Sequence, residues 1–301
     1  MSGRVLNFGS LNIDYVYSVD HIVREGETES SLDYQVFAGG KGLNQSVALA
    51  RAGGKRRIFH GGSIGKEGLF LKEILEKEGI DCTYLTVTDC ANGHAIIQRS
   101  KEGDNSIVLY PGANHRNTKE RICQVLSAFG PEDILVCQNE VSNVADLISE
   151  AYQRGMKIAW NPSPVTEVIH QVDFSQLTWL IINEIEGECI TGEKDPEGML
   201  AVFRNQYPEL RVVLTLGADG VLYQEKGKMF RQESFSVPVK DTTAAGDTFL
   251  GYFICEAAEA EGDEAVQNAL RLASQAAALA VSKEGAVPSI PCRKDVENSG
   301  F

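Results

Sequence analysis

Residues 134–160, ILVCQNEVSNVADLISEAYQRGMKIAW, decide the fold class. Ile134 to Cys137 is a short apolar run with the character of a strand, Ala145 to Arg154 repeats its apolar residues at helical spacing, and Ile158 to Trp160 is strand-like again. Strand, helix and strand in succession imply a parallel sheet with helices on its faces, and the rhythm extends in both directions. Val5-Leu6-Asn7-Phe8-Gly9 suits a buried central strand, and Asn44 to Ala52 is helical in period. Trp179 to Ile182 is a strand followed by a helix, and Val212 to Leu216 and Val221 to Gln224 are later strands. Gly246 to Ala258 and Glu264 to Ser282 are long helices rich in small residues. An α/β protein with a mainly parallel sheet follows, in which ligands gather beyond the carboxyl ends of the strands. Asn12 and Asp14 fall just beyond the end of the first strand.

Two segments stand outside this rhythm. Ser30 to Phe37 alternates polar and apolar residues, with Leu32, Tyr34 and Val36 on one face, as a half-buried strand does. His94 to Gln98 and Ser106 to Tyr110 are strand-like pieces separated by the polar turn Lys101-Glu102-Gly103-Asp104-Asn105. These pieces are expected to pair into a small sheet.

A chain of 301 residues accommodates one large α/β unit with a small accessory element, and no repeat or low-complexity linker divides it. No run approaches the roughly 20 apolar residues that span a bilayer, and Met1 to Ser10 lacks the pattern of a secretory signal, so a soluble cytoplasmic protein that does not engage membranes is expected. The seven cysteines contain no CxxC pair and read as reduced thiols. A net charge of −14 opposes capture of nucleic acid, which needs clustered Lys and Arg. It also repels free nucleotide at long range, so a nucleotide site here has to be locally positive, or built from backbone amides and a divalent cation.

Three short segments carry candidate chemistry. Asp241-Thr242-Thr243-Ala244-Ala245-Gly246-Asp247-Thr248-Phe249 is a small-residue turn entering a helix. Unobstructed amides at a helix N-terminus form an anion site, and a carboxylate at its mouth can accept a proton from an attacking alcohol. The plainer reading is that Asp247 only charges the first helical turn. Ala38-Gly39-Gly40-Lys41-Gly42-Leu43-Asn44 lets backbone approach a polar ligand, or is simply a tight strand-to-helix turn; it is not a Walker A loop. Asn183-Glu184-Ile185-Glu186 sets an amide and a carboxylate three residues apart, able to order water around a metal or to start a solvated helix.

In order and spacing, GGKG near residue 40, NxxE near 183 and AAGD near 245 resemble the signatures of the PfkB carbohydrate-kinase family, most closely those of ribokinases. The resemblance extends through Gly9-Ser10-Leu11-Asn12-Ile13-Asp14, Gly112-Ala113-Asn114 and Asn161-Pro162-Ser163-Pro164. It continues through Thr215-Leu216-Gly217-Ala218-Asp219-Gly220 and Gly285-Ala286-Val287-Pro288-Ser289, and so covers nearly the whole chain.

That resemblance implies a three-layer α/β/α fold, a single kinase domain over residues 1–301, with a small β-sheet lid from about 14–38 and 93–110. It implies ATP-dependent transfer of the γ-phosphoryl group to the 5-hydroxyl of D-ribose. The alternatives are a kinase for fructose, a nucleoside or a deoxy-sugar acid, and a catalytically silent sugar-binding regulator. By the family pattern Asn12, Asp14, Gly40, Lys41, Gly42, Asn44 and Glu140 hold the sugar. Thr215, Gly217, Ala218, Gly220, Gly246 and Ser274 flank ATP, Ser274 standing where relatives often carry Asn or His. Asn183 and Glu186 match the pair that positions phosphate and hydrated Mg2+. Asp241, the Thr243 carbonyl and groups near Ala280, Lys283, Gly285 and Ser289 match a monovalent-cation site, with K+ as the expected activator. Asp247 is the implied base, and the Ala245 and Gly246 amides, magnesium and Lys41 offset the charge of the transferring group. Lids of this family pair, so a homodimer through the face bearing Leu32, Tyr34 and Val36 is implied as well.

Overall fold

A computed structural model describes residues 3–301. Its strands are β1 (Val5–Phe8), β2 (Asn12–Val19), β3 (Asp33–Gly39), β4 (Ile58–Gly65), β5 (Asp81–Thr88), β6 (Gly93–Ser100) and β7 (Asn105–Tyr110), followed by β8 (Ile134–Gln138), β9 (Lys157–Asn161), β10 (Trp179–Asn183), β11 (Arg211–Thr215), β12 (Val221–Glu225) and β13 (Lys228–Gln232). Its helices are α1 (Lys41–Arg51), α2 (Leu69–Lys77), α3 (Lys119–Leu126), α4 (Val144–Gln153), α5 (Glu184–Thr191), α6 (Pro196–Gln206), α7 (Ala245–Ala257), α8 (Asp263–Val281) and α9 (Arg293–Glu297).

Among the described residues the strands form a nine-stranded sheet, β13-β12-β11-β10-β9-β8-β1-β4-β5, and a four-stranded sheet, β3-β2-β6-β7. The large sheet is parallel from β11 to β5, and β12 and β13 add an antiparallel edge. Its inner strands, such as β1, β8 and β10, are buried on both sides, which is why they read as continuous apolar runs. Leu135 and Cys137 pack into the layer beneath α3, α4 and α6, whereas Ile134 and Val136 face the layer formed with α7 and α8. The three-layer α/β/α arrangement is as expected. No helix among the described residues is long and apolar enough to cross a membrane.

The order of the large sheet places the site. From β1 the chain first adds β4 and β5 on one side, then returns to add β8 to β11 on the other. Strand order reverses at the β1–β8 pair, the switch point where the loops beyond adjacent strands diverge and leave a crevice. Ser10 follows β1 there and Glu140 follows β8.

Asn12 and Asp14 lie just beyond the end of β1, as expected, on the first strand of the small sheet. The small sheet departs from the expectation in one respect. The segment expected as a half-buried strand from Ser30 is paired only from Asp33, and Asp33 to Phe37 are exposed on both faces. The reason is position: β3 is an edge strand, and neither side of its outer half meets the core. Leu32, Tyr34 and Val36 are thus exposed, as are Ile107, Val108 and Leu109 on the opposite edge. The chain passes between the sheets four times, at residues 9–11, 39–40, 89–92 and 111–112.

Candidate active site

Two close approaches assemble the site. Where α1 crosses α7, a Cβ on Gly251 would collide with the Ala48 side chain and the Leu49 amide. A Cβ on Gly42 would likewise collide with the backbone of Gly9 and Ser10. Small residues at these points let α1 sit against both the end of β1 and the middle of α7.

The first turn of α7 carries Asp247, whose carboxylate is buried. Asn44 Nδ2 donates to its Oδ2 at 3.0 Å, and Gln45 Nε2 donates to its Oδ1 at 2.9 Å. Ala244 enters the helix in the left-handed region, φ 61°, and turns the chain so that the following residues border a cavity of about 220 Å³. Asp247, Lys41, Asn183, Glu186 and Gly246 line this cavity. The Ala245 N–H donates to Thr242 O at 3.3 Å, a long bond that leaves the turn's amides near the cavity only weakly committed.

Lys41 opens α1 after Gly40, which holds φ 95°. Burial opposes the Lys41 charge, but the carboxylates of Asp247, Glu140 and Glu186 outweigh it and raise the ammonium above its ordinary range. It stays a cation among three acids. Glu140 accepts hydrogen bonds from the Ser10 hydroxyl and, at 2.9 Å, from the Lys41 backbone N–H. Burial nevertheless pushes its carboxyl up.

Across the crevice, burial pushes the Asp14 carboxyl up to about 6, and the neighbouring Glu140 charge adds to the effect. Gly39 pairs near it because a Cβ there would overlap the Asp14 carboxylate. Asn12 Oδ1 accepts from Asn114 Nδ2 at 2.7 Å, and Asn114 Oδ1 accepts the Leu11 N–H at 3.1 Å. Asn44 Oδ1 is buried without a hydrogen-bond partner. Asn12, Asp14, Gly40, Lys41, Asn44 and Glu140 therefore converge at the switch point.

The cavity beside Asp247 shares Thr215, Thr242, Ala245 and Gly246 with a larger groove of about 580 Å³. Gly217, Ala218, Gly220 and Ser274 border this groove, with apolar walls that include Val221, Phe235, Phe249 and Val281. Gly217 and Gly220 hold positive φ of 55° and 90°, and a Cβ at Gly220 would strike Gln232 O. The groove is largely apolar, and the first turn of α7 forms part of its wall.

Asn183 and Glu186 form a capping box at the start of α5. Asn183 Oδ1 accepts the Glu186 N–H at 2.8 Å and Glu186 Oε2 accepts the Asn183 N–H at 3.0 Å. The pair is thus both a helix start and part of the cavity wall, and a carboxylate there suits a hydrated divalent ion beside phosphate.

Asp241 sits before the α7 turn. Its Oδ1 accepts from the Thr243 N–H at 2.9 Å and hydroxyl at 2.6 Å, and its Oδ2 accepts from the Gly285 N–H at 3.0 Å. Burial works against its charge, but these bonds prevail and hold the carboxyl below its ordinary range. The segments around Thr243 and Gly285 are so joined. Ala280 O accepts the Lys283 N–H at 3.1 Å, and the buried Ser289 hydroxyl donates to Ala286 O at 2.8 Å. Carboxylate, carbonyl and hydroxyl oxygens make a donor set that suits a hard cation.

Ser10 and Asn161 fall within the motifs quoted above but carried no assigned role, and Gln45 and Gln138, which fall in none of them, also touch the site. The signal for Gln45 was present: Asn44-Gln45-Ser46 is a polar triplet opening a helix whose next residues, Val47-Ala48-Leu49, are wholly apolar, and all six are buried.

Comparison with known proteins gives one consistent result. The model of the pfkB family carbohydrate kinases matches residues 3–293. Ribokinase of Haemophilus influenzae is 37% identical over 95% of each chain. Among solved structures, ribokinase of Thermotoga maritima superposes with a TM-score of 0.87 at 34% identity, covering 98% of both chains. Arabidopsis thaliana ribokinase complexed with ribose and ATP superposes with a TM-score of 0.82 at 26% identity, covering 99% of this chain and 98% of that one.

Proposed function

The chain belongs to the pfkB family of carbohydrate kinases, and from that premise we propose that it transfers the γ-phosphoryl group of ATP to the 5-hydroxyl of D-ribose. The observation that carries this reading is the position of Asp247: a buried carboxylate between the groove running past Thr215 to Ser274 and the polar cluster of Asp14, Glu140 and Lys41. The complex of the Arabidopsis thaliana relative with ribose and ATP supports both ligands.

Asp14 and Glu140 accept sugar hydroxyls. Asp247 receives the proton of the attacking hydroxyl as the O–P bond forms. A free hydroxyl is far too weak an acid to be ionised beforehand, so positioning and charge neutralisation supply most of the acceleration. The amides of the Ala245–Gly246 turn and the Lys41 ammonium face the charge on the transferring group. A magnesium ion held near Glu186 and Asn183 would neutralise phosphate charge. The small sheet covers the sugar and excludes water, and its exposed apolar strands support pairing of two copies. A cytoplasmic location belongs to the same reading.

The decisive assay measures ADP release from ATP and magnesium with a panel of pentoses, hexoses and nucleosides. D-ribose is expected to exceed fructose and nucleosides in kcat/KM by at least about tenfold, since buried polar groups matched to one set of hydroxyls are left unpaired by another. The phosphate should be on the primary hydroxyl. An inert ribose beside an efficient nucleoside would refute the acceptor while leaving the kinase.

Asp241, with carbonyls around Thr243, Ala280, Lys283 and Gly285, would hold K+ and stiffen the turn that aims the α7 amides. Asp241→Ala is expected to lower kcat roughly tenfold and abolish activation by potassium. Magnesium dependence should persist. A titration with potassium chloride against an ionic-strength control reads this out; full activity of the natural enzyme without any monovalent cation would remove the site.

A further inference from the structure

We propose that Gln45 is the positioning residue for the phosphoryl-transfer base: a buried relay of side-chain amides fixes its orientation, and it in turn fixes the Asp247 carboxylate. The proposal rests on the reading of Asp247 as that base. Gln45, Gln138 and Asn7 have no exposed surface, so none of them reaches substrate.

The relay can be followed atom by atom from a fixed end. Asn7 Nδ2 donates to Gly42 O at 2.8 Å and to Ser46 Oγ at 2.8 Å. A backbone carbonyl only accepts, so Asn7 must turn its nitrogen toward Gly42 and its oxygen the other way. That oxygen accepts from Gln138 Nε2 at 2.9 Å. The second hydrogen of Gln138 Nε2 goes to Gln45 Oε1 at 2.6 Å. Gln45 then presents its nitrogen to Asp247 Oδ1 at 2.9 Å and to Asn161 Oδ1 at 3.2 Å.

A second carbonyl fixes the other end. Asn161 Nδ2 donates to Ile181 O at 3.0 Å, which turns the Asn161 oxygen toward Gln45. Reversing the Gln45 amide would set oxygen against two oxygens and nitrogen against nitrogen. All three relay nitrogens, on Asn7, Gln138 and Gln45, spend both of their hydrogens. These side chains are buried, so each broken bond leaves a polar group unsatisfied, and the arrangement is held as a unit.

Its effect falls on Asp247. With Asn44 on one oxygen and Gln45 on the other, rotation of the carboxylate is stopped, and the remaining lone pairs keep one direction toward the cavity. Proton transfer is sensitive to such alignment, whereas binding of sugar or nucleotide is not.

The test compares Gln45→Leu and Gln45→Glu with the natural protein by steady-state kinetics, with circular dichroism to confirm folding. For Gln45→Leu, kcat is expected to fall about ten- to a hundredfold, with KM for sugar and for ATP within about twofold. Gln45→Glu keeps the shape and can still accept from Gln138, but sets a carboxylate oxygen against Asp247, and should lose more. A space-filling role gives the reverse order, with Glu milder than Leu. That order, an unchanged kcat in either folded variant, or a loss confined to KM overturns the proposal. Should neither variant fold, Gln138→Met removes only the donor that holds Gln45 Oε1; a several-fold fall in kcat at constant KM is expected, and unchanged kcat overturns the relay. Asp247→Asn is assayed in parallel. Activity there refutes the base itself, while a dead Asp247→Asn beside fully active Gln45 variants refutes only the relay.

Discussion

Asp247→Asn is expected to lower kcat by roughly two to four orders of magnitude, the span of a positioned general base, with sugar and ATP still bound. The substitution keeps the shape of the side chain and removes its ability to take a proton. It also has a local cost, because two amide nitrogens, from Asn44 and Gln45, converge on the side chain, and an asparagine offers only one oxygen. One donor loses its acceptor, worth about 1–3 kcal/mol of stability. Thermal melting together with steady-state kinetics separates the two effects: a folded variant with near-natural turnover would remove Asp247 from the chemistry.

Asp14→Asn should move stability and binding in opposite directions. In the natural protein burial lifts the Asp14 carboxyl from 3.8 to about 6. Between those values the folded chain holds a proton that the unfolded chain has lost, so stability falls as pH rises through that window. By pH 7.5 the buried charge costs about 3 kcal/mol. Asp14→Asn removes the cost, and its melting temperature should exceed that of the natural protein at pH 7.5 but not at pH 4. Hydrogen bonds from sugar hydroxyls to an ionised acceptor are lost in the same step, and the ribose KM should rise about ten- to a hundredfold. In the natural enzyme that KM should also climb as pH drops below about 6. A variant no more stable at pH 7.5, with an unchanged ribose KM, would contradict the assignment.

Much of this was legible in residue order. The apolar runs at Val5, Ile134, Ile158 and Trp179 announced a sheet buried on both faces, and the glycines at 39, 40 and 42 and the small residues at 244–246 marked the two helix starts that frame the cavity. The edge strand β3 was misjudged because alternation encodes two faces without saying whether either meets a core. Gln45 and Gln138 were missed for a different reason. The polar triplet Asn44-Gln45-Ser46 marks Gln45 as unusual, but a glutamine has no intrinsic chemistry to assign it a role, and that role arises only when residues 202 positions apart, Gln45 and Asp247, are brought to hydrogen-bonding distance.

The four passages between the two sheets also have a mechanical meaning. Each is only a few residues long, and all leave the same end of the small sheet, with Gly40 and Gly112 at positive φ among them. Two plates joined along one margin by four short tethers cannot slide past each other or separate; the freedom left to them is rotation about that margin. Asn12 and Asp14 lie directly beside the axle, where a given angle sweeps the least distance. The tips of the small sheet, near Gly103 and Gly26, travel furthest. Such leverage lets the outer strands swing widely while the groups nearest the axle barely change their aim.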